Sequence, residues 1–300
     1  MRCGHVAVIG KPNVGKSTLI NTFLRRKLNI TSPRRNTTHH CVRGIYTDAD
    51  LQIVFVDTPG LARRPKTLLE RHIAHSAVEM IDSVDAVLML SEGTHWNRDD
   101  EFVIQAHSEG VPWVLAINKT DRLSDKAELL PHLARLGELG LFADMVPICA
   151  RRSQGIDVLT GVLARHLPEG PELFDADTMT DRSERFLAVQ ILREQLLRQL
   201  GEELPYVCGV HLGQYRRGDE DESGEQTQAR RIDADIWVER ASQKAIIIGR
   251  GGAKLKAIGS AAREQMQRAF GAAVVLKVWV RVQPGWSDDA GKLRQLGYGE

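Results

Sequence analysis

A chain of 300 residues with 42% hydrophobic and 26% charged side chains can bury a substantial core and is long enough for two domains. Its formal net charge of +1 excludes a protein that is basic as a whole, so any nucleic-acid surface must come from local clustering of Lys and Arg. The longest apolar runs, such as Val111 to Ile117 and Ala245 to Ile248, are strand-sized, and no basic-then-apolar leader opens the chain, so neither a membrane span nor a signal peptide is expected.

From Val6 to about His166, short β-rich runs alternate with amphipathic stretches: Val6 to Ile9, Ile53 to Val56, Ala86 to Leu90, Val114 to Ile117 and Met145 to Ile148. Continuous apolar strands separated by helix-length segments predict an α/β domain, a mostly parallel sheet with helices on both faces. The first run leads into Gly10-Lys11-Pro12-Asn13-Val14-Gly15-Lys16-Ser17-Thr18, which opens a helix. G-x-x-x-x-G-K-S between strand and helix is a phosphate cradle. Its glycines let backbone N–H groups turn inward, Lys16 reaches the β and γ phosphates, and the Ser17 hydroxyl ligates Mg²⁺. Asn13, Val14, Gly15, Lys16, Ser17 and Thr18 are therefore candidate nucleotide contacts.

The polar stretch Ile30 to His40 reads as a switch loop ordered by the γ phosphate, with Thr38 as a further Mg²⁺ ligand and Thr37 as the alternative. His39, His40, His72 and His75 lack a third ligand at helical spacing and read as solvated residues. Asp57-Thr58-Pro59-Gly60 ends a strand, so Asp57 can hold Mg²⁺ and the Gly60 N–H can meet the γ phosphate. The next residue is Leu61, where many phosphate-loop hydrolases place a water-orienting Gln, so hydrolysis is expected to be slow or to use another group. Asn13 offers one such route by holding K⁺ between the phosphates, or it serves only as a loop hydrogen-bonder. Lys16, Thr38, Gly60 and Asn13 are the candidate catalytic groups.

Asn118-Lys119-Thr120-Asp121 ends a later strand. An Asp there accepts both N1–H and the exocyclic amine of guanine, whereas adenine would leave the carboxylate unpaired. The expected ligands are therefore GTP and GDP, contacted also by Asn118, Lys119, Asp121 and the turn Cys149-Ala150, whose backbone N–H is expected to meet the guanine O6. Cys3, Cys41, Cys149 and Cys208 have no paired spacing and read as reduced, mostly buried thiols of a cytosolic protein.

Residues 169–182 gain Pro, Gly and acidic side chains and lose periodicity, which marks a linker between domains spanning 1–168 and 183–300. Beyond it, Phe186, Val189, Leu192, Leu196 and Leu200 recur at helical spacing behind a cap at Asp181 or Ser183. Strands are expected at Tyr206 to Leu212 and Ile232 to Val238, joined by a loose polar loop over Arg216 to Arg230. A short helix before Gly249, a longer one from Ala253 to Phe270 and a strand from Val274 to Val282 complete the order α-β-β-α-α-β.

Between the two helices lies Ile248-Gly249-Arg250-Gly251-Gly252-Ala253-Lys254-Leu255-Lys256. A G-x-x-G loop in this setting is the mark of a type II KH domain, an α+β fold in which the loop lets a single-stranded nucleic-acid backbone approach the chain. Ile248, Gly249, Arg250, Gly251, Gly252, Lys254 and Lys256 are the candidate RNA contacts. Trp237 and Trp279 read either as base-stacking platforms or as packed side chains.

Taken together, the phosphate loop, Thr37-Thr38, Asp57 to Leu61, Asn118 to Asp121, Ile236 to Arg240 through Gly249, Gly285-Trp286 and Leu296 to Tyr298 resemble the bacterial Era-type ribosome-assembly GTPases. The resemblance spans nearly the whole chain. It implies a monomer that binds the 3′ end of 16S ribosomal RNA during maturation of the small subunit, in the cytoplasm or peripherally on the inner face of the cell membrane, with the nucleotide state controlling RNA access. The chain departs from the family pattern at Asn36 and His39, where Gln and Arg are usual, and at Cys149, where Ser is usual. A reading of another class, an RNA-binding module that holds GTP structurally with negligible turnover, is kept open by Leu61.

Overall fold

The computed structural model describes residues 1–25, 28, 42–58, 68, 83–105, 110–201, 204–220 and 226–298. They fall into two compact units that part between Asp181 and Arg182. The first unit holds six strands: β1 (Arg2–Gly10), β2 (Val42–Asp48), β3 (Leu51–Asp57), β4 (Ala86–Glu92), β5 (Trp113–Asn118) and β6 (Asp144–Pro147). They lie in the order β2-β3-β1-β4-β5-β6, parallel except for the antiparallel edge strand β2.

The continuous apolar character of these strands has a direct reading in the two cores. On one face, Val6, Val8, Ile53, Phe55 and Leu88 meet Leu19, Ile20 and Phe23 of α1 (Lys16–Phe23). Leu159 and Leu163 of a later helix, Ile156–His166, join the same cluster. On the other face, Ala7, Ile9, Val87, Met89 and Leu115 meet Val103 of α2 (Arg98–Ile104) and Leu129 and Leu136 of α3 (Leu129–Gly137). Alternate residues of one strand thus serve opposite layers, which is why no polar face interrupts the sequence pattern. The helix Ile156–His166 is α4.

Three sequence expectations change. β2 was not marked by an apolar run, because Arg43 and Thr47 interrupt it and its pairing is by backbone to β3. Within the segment 169–182, read as linker, residues from Gly170 to Met179 are hydrogen-bonded to the first unit. The N–H of Gly170 donates to the Met1 carbonyl at 3.1 Å and the N–H of Ile45 to the Met179 carbonyl at 2.9 Å. Buried Gln52 accepts from the N–H groups of Leu173 and Phe174 at 2.8 and 3.0 Å. The segment lacks periodicity because it is held through its backbone.

The second unit follows the order α5 (Glu184–Gln199), β7 (Gly209–Glu220), β8 (Gln226–Val238), α6 (Ala241–Ile248), α7 (Ala253–Phe270) and β9 (Val274–Val282). β7 pairs antiparallel with β8, and β8 parallel with β9. Ser183 is the cap of α5, its hydroxyl accepting from the Phe186 N–H at 3.2 Å. Leu192 and Leu196 of α5 share a core with Ile232, Ala234, Ile236 and Val238 of β8 and with Ile258, Ala262 and Met266 of α7.

The third change lies here: the loose loop expected over Arg216 to Arg230 is mostly ladder. β7 runs on to Glu220 and β8 starts at Gln226, with Arg216 opposite Arg231 and Arg217 opposite Arg230. This ribbon carries charges instead of a buried face, so no alternation announces it. A last helix, α8 (Ala290–Gln295), follows the buried Trp286. Among the described residues no helix is long and apolar enough to cross a membrane.

Candidate functional site

The phosphate loop leaves the carboxyl end of β1, whose neighbours β3 and β4 lie on opposite sides, so it sits where an open α/β sheet has its binding crevice. Gly15 has φ 112°, and a Cβ there would lie 2.3 Å from Nδ2 of Asn118, so only glycine lets the loop pass. Lys16 is buried and donates through Nζ to the carbonyls of Gly10 at 2.9 Å and Lys11 at 3.1 Å. Burial lowers its pKa to about 8, against the attraction of the Asp57 carboxylate.

Ser17 donates its hydroxyl to Oδ2 of Asp57 at 2.9 Å, and both side chains are buried. A hydroxyl and a carboxylate meeting beside the loop are hard oxygen donors of the kind Mg²⁺ takes, so the residues fit that ion. Asp57 is placed by the β1–β3 register opposite Val8, whose carbonyl also accepts from the Thr58 hydroxyl at 2.9 Å. Thr37, Thr38, Gly60, Leu61, Asn36 and His39 lie outside the described residues.

At the ends of β5 and β6 a second loop cluster closes on the first. Asn118 donates through Nδ2 to the Val14 carbonyl at 2.9 Å and accepts at Oδ1 from the Ala150 N–H at 3.0 Å. That N–H, expected to face a base, is directed at Asn118. Lys119, at φ 62°, reaches the Asn13 carbonyl at 2.8 Å and Oε2 of Glu92 at 2.7 Å. The Thr22 hydroxyl of α1 meets the Ala150 carbonyl at 2.9 Å. The structure therefore joins Asn13, Val14, Asn118, Lys119 and Ala150 in one network.

Asp121 accepts at Oδ1 from the Cys149 thiol at 3.1 Å, with Nε of Arg152 3.8 Å from Oδ2. The thiol hydrogen bond, with the charges of Arg152 and Arg122, holds the Asp121 carboxyl below its usual range. Burial and the same carboxylate push the Cys149 thiol up. Cys3, Cys149 and Cys208 are buried and free, while Cys41 lies outside the described residues. Among the described residues no group of three or more His, Cys, Asp or Glu is arranged to hold a metal ion by itself.

Two acidic residues that no motif marks also belong to this site. Glu92 accepts from Lys119 and, at 2.9 Å, from Arg122, while Asp100 accepts from Lys11 at 2.8 Å. The only local signal is the pairing of Asn97 and Asp100 across the first turn of α2, which reads as a helix cap.

In the second unit, α6 ends at Gly249, at φ 70° and ψ 178°, where a Cβ would lie 2.7 Å from the Lys254 Cβ. That backbone and that contact both demand glycine. A tight turn, Arg250–Gly252, then leads to the N-terminus of α7. Arg250 and Lys256 are exposed, and Ile248 and Lys254 are half-buried beside them. The loop therefore presents backbone N–H groups, a helix N-terminus and cations together, an arrangement suited to phosphates. Trp237 is packed, buried against a stacked His211 ring with centroids 5.1 Å apart, whereas Trp279 is 43% exposed.

Residues 5–119 match the family described as 50S ribosome-binding GTPase, and residues 220–287 match the KH domain family. The chain is 47% identical over 298 residues to the GTPase Era of Xylella fastidiosa (strain M12), covering 99% of this chain and 97% of that one. It is 44% identical over 301 residues to the GTPase Era of Pseudomonas putida (strain W619), covering 100% and 97%. Over all of both chains it superposes with a TM-score of 0.94 and 34% identity on a point variant of Aquifex aeolicus Era bound to GDP·AlF4⁻. The same TM-score, at 33% identity, relates it to Era in complex with MgGDPNP and nucleotides 1506–1542 of 16S ribosomal RNA.

Proposed function

Since the chain belongs to the Era family of GTPases, we propose that it is a GTP-hydrolysing switch whose nucleotide state controls the grip of its KH domain on the 3′ end of 16S ribosomal RNA during small-subunit assembly. The observation that carries the nucleotide half is the meeting of Lys16, Ser17 and Asp57 at the ends of β1 and β3, beside the network of Asn118 and Lys119. The RNA half is supported by the glycine-dependent turn at Gly249 and by the relative solved with 16S ribosomal RNA nucleotides. In this reading residues 1–168 bind nucleotide, 183–300 bind RNA, and 169–182 connect them.

GTP enters with its phosphates on the backbone of Asn13 to Thr18, and Lys16 exchanges the carbonyls of Gly10 and Lys11 for phosphate oxygens. Asp121 accepts from the guanine N1–H and amine, and the Ala150 N–H is shared between Asn118 and O6. Mg²⁺ held by Ser17 and Asp57, with Thr38, would neutralise charge building between the β and γ phosphates. The Gly60 N–H contacts the γ phosphate. Leu61 cannot orient water by a hydrogen bond, so turnover is slow; Asn13 would hold K⁺, which would supply the positive charge that an arginine supplies in other hydrolases of this kind. The RNA backbone runs over Gly249, Arg250, Gly251 and Gly252, with Lys254 and Lys256 on phosphates and Ile248 under a base. The chain acts as a monomer, in the cytoplasm or peripherally on the inner face of the cell membrane.

Single-turnover GTP hydrolysis in Na⁺ or K⁺ buffer, with and without RNA of the 16S 3′ end, tests the reading. Slow turnover in Na⁺ that rises with K⁺ and with RNA is expected. Turnover indifferent to both would contradict it.

A further inference from the structure

The segment from the end of β4 to the first turn of α2 carries none of the nucleotide motifs, yet it holds both nucleotide loops. The β4–β5 register sets Glu92 opposite Asn118, which puts its carboxylate beside Lys119. Lys119 bridges Oε2 of Glu92 at 2.7 Å to the Asn13 carbonyl at 2.8 Å, so the phosphate loop is pinned at position 13 through Glu92. Burial resists the ionisation of Glu92, but the hydrogen bond and charge of Lys119, with Arg122 and Lys11, outweigh it and hold the carboxyl below its usual range.

Eight residues on, Asp100 is fully buried. Its Oδ2 accepts from the Asn97 N–H at 3.1 Å and from Nζ of Lys11 at 2.8 Å, while Oδ1 has no hydrogen-bond partner among the described residues. A helix cap needs only an acceptor, and a fully buried carboxylate is a costly choice for one. The charge is matched instead by Lys11, whose ammonium also lies 3.4 Å from the His95 carbonyl. The backbone carbonyl of Lys11 in turn holds Nζ of Lys16 at 3.1 Å. Moving Lys11 therefore moves an acceptor of the lysine that meets the phosphates.

We propose that Asp100 and Glu92 are positioning residues for the nucleotide, Asp100 fixing the phosphate loop through Lys11 and Glu92 fixing the base loop through Lys119. Neither touches the nucleotide. Both act by holding the loops in shape before it arrives, so that binding does not have to order them. The inference rests on the nucleotide site argued above.

Equilibrium titration of GDP in magnesium buffer, read beside thermal melting, separates positioning from folding. Lys11→Met combined with Asp100→Leu replaces a buried ion pair by apolar side chains, an exchange that commonly leaves stability intact. The double variant is expected to fold, its melting lowered by no more than the loss of the Asn97 cap accounts for, and to bind GDP about tenfold more weakly. Glu92→Gln, which keeps an acceptor for Lys119, is expected to lose GDP affinity severalfold while remaining folded, with only a small drop in melting temperature. A double variant that melts and binds as wild type does, or Glu92→Gln with full affinity, overturns the assignment of that residue. If the double variant does not fold, Asp100→Asn, which keeps the shape and the cap acceptor, decides: faster GDP release supports the role and an unchanged rate overturns it. Wild-type protein without GDP affinity would instead overturn the nucleotide-site reading itself.

Discussion

The thiol of Cys149 donates to Oδ1 of Asp121 across 3.1 Å, so the carboxylate proposed to meet the guanine edge has a sulfur as hydrogen-bond donor. A thiol is a weak donor, and its removal is expected to cost about 1 kcal/mol of nucleotide binding, roughly fivefold in affinity. GDP titrations should therefore give Cys149→Ala a weakened Kd while Cys149→Ser, which keeps a donor in place, matches or exceeds wild type. Equal affinity in all three proteins would show that the contact does not set the carboxylate.

Lys16 carries a pH dependence whose sign follows from its burial. Without nucleotide its pKa is lowered to about 8, and phosphates beside it would raise it again. Below pH 8 the ammonium is already charged and affinity is flat. Above pH 8 binding must take up a proton, so affinity falls by up to about tenfold per pH unit. GDP titrations between about pH 7 and 9 check this, and a flat profile would contradict the placement of Lys16 against the phosphates.

Glu184 opens α5 and accepts from the Tyr215 hydroxyl, from Nε of Arg230 at 3.0 Å and from Nε of Arg217 at 3.2 Å. Burial opposes its ionisation, but the Arg230, Tyr215 and Arg217 hydrogen bonds prevail and lower its pKa to about 2. Because the folded value lies below the unfolded one, this stability is present above about pH 4.5 and is lost as pH falls toward 2. Glu184→Gln should destabilise the second unit by on the order of 2 kcal/mol at neutral pH, after allowance for solvent screening. Melting curves of the two proteins should converge near pH 2, and a constant difference at all pH values would contradict the account.

For the RNA loop, replacing Arg250 and Gly251 by Asp sets two carboxylates where phosphates are proposed to lie. Filter binding to RNA of the 16S 3′ end should fall by at least about a hundredfold, while GDP affinity stays unchanged. Retained RNA affinity would move the binding surface elsewhere on the protein.

What was legible in the sequence is what the chemistry forces to be contiguous. Gly10 to Ser17, Asp57 and Asn118 to Asp121 each end a strand, and the apolar runs before them mark both the sheet and the loops. The G-x-x-G turn reads equally well because Gly249 has a backbone that only glycine adopts. Glu92 and Asp100 were not legible, since their partners Lys119 and Lys11 become neighbours only through strand register and helix packing. The ladder beyond Arg216 and the docking of Gly170 to Met179 escaped for a related reason. Both are held by backbone pairing, or by single side chains such as Gln52, and backbone pairing leaves no hydrophobic period behind.

The most direct test of the central claim is an equilibrium titration of GTP, ATP and xanthosine triphosphate against wild-type protein and Asp121→Asn in magnesium buffer. The account predicts that wild type binds GTP and excludes ATP, and that Asp121→Asn transfers the preference to the xanthine nucleotide, whose base offers the complementary acceptor. An Asp121→Asn protein that binds GTP as tightly as wild type, or a wild type that binds none of the three, would contradict it.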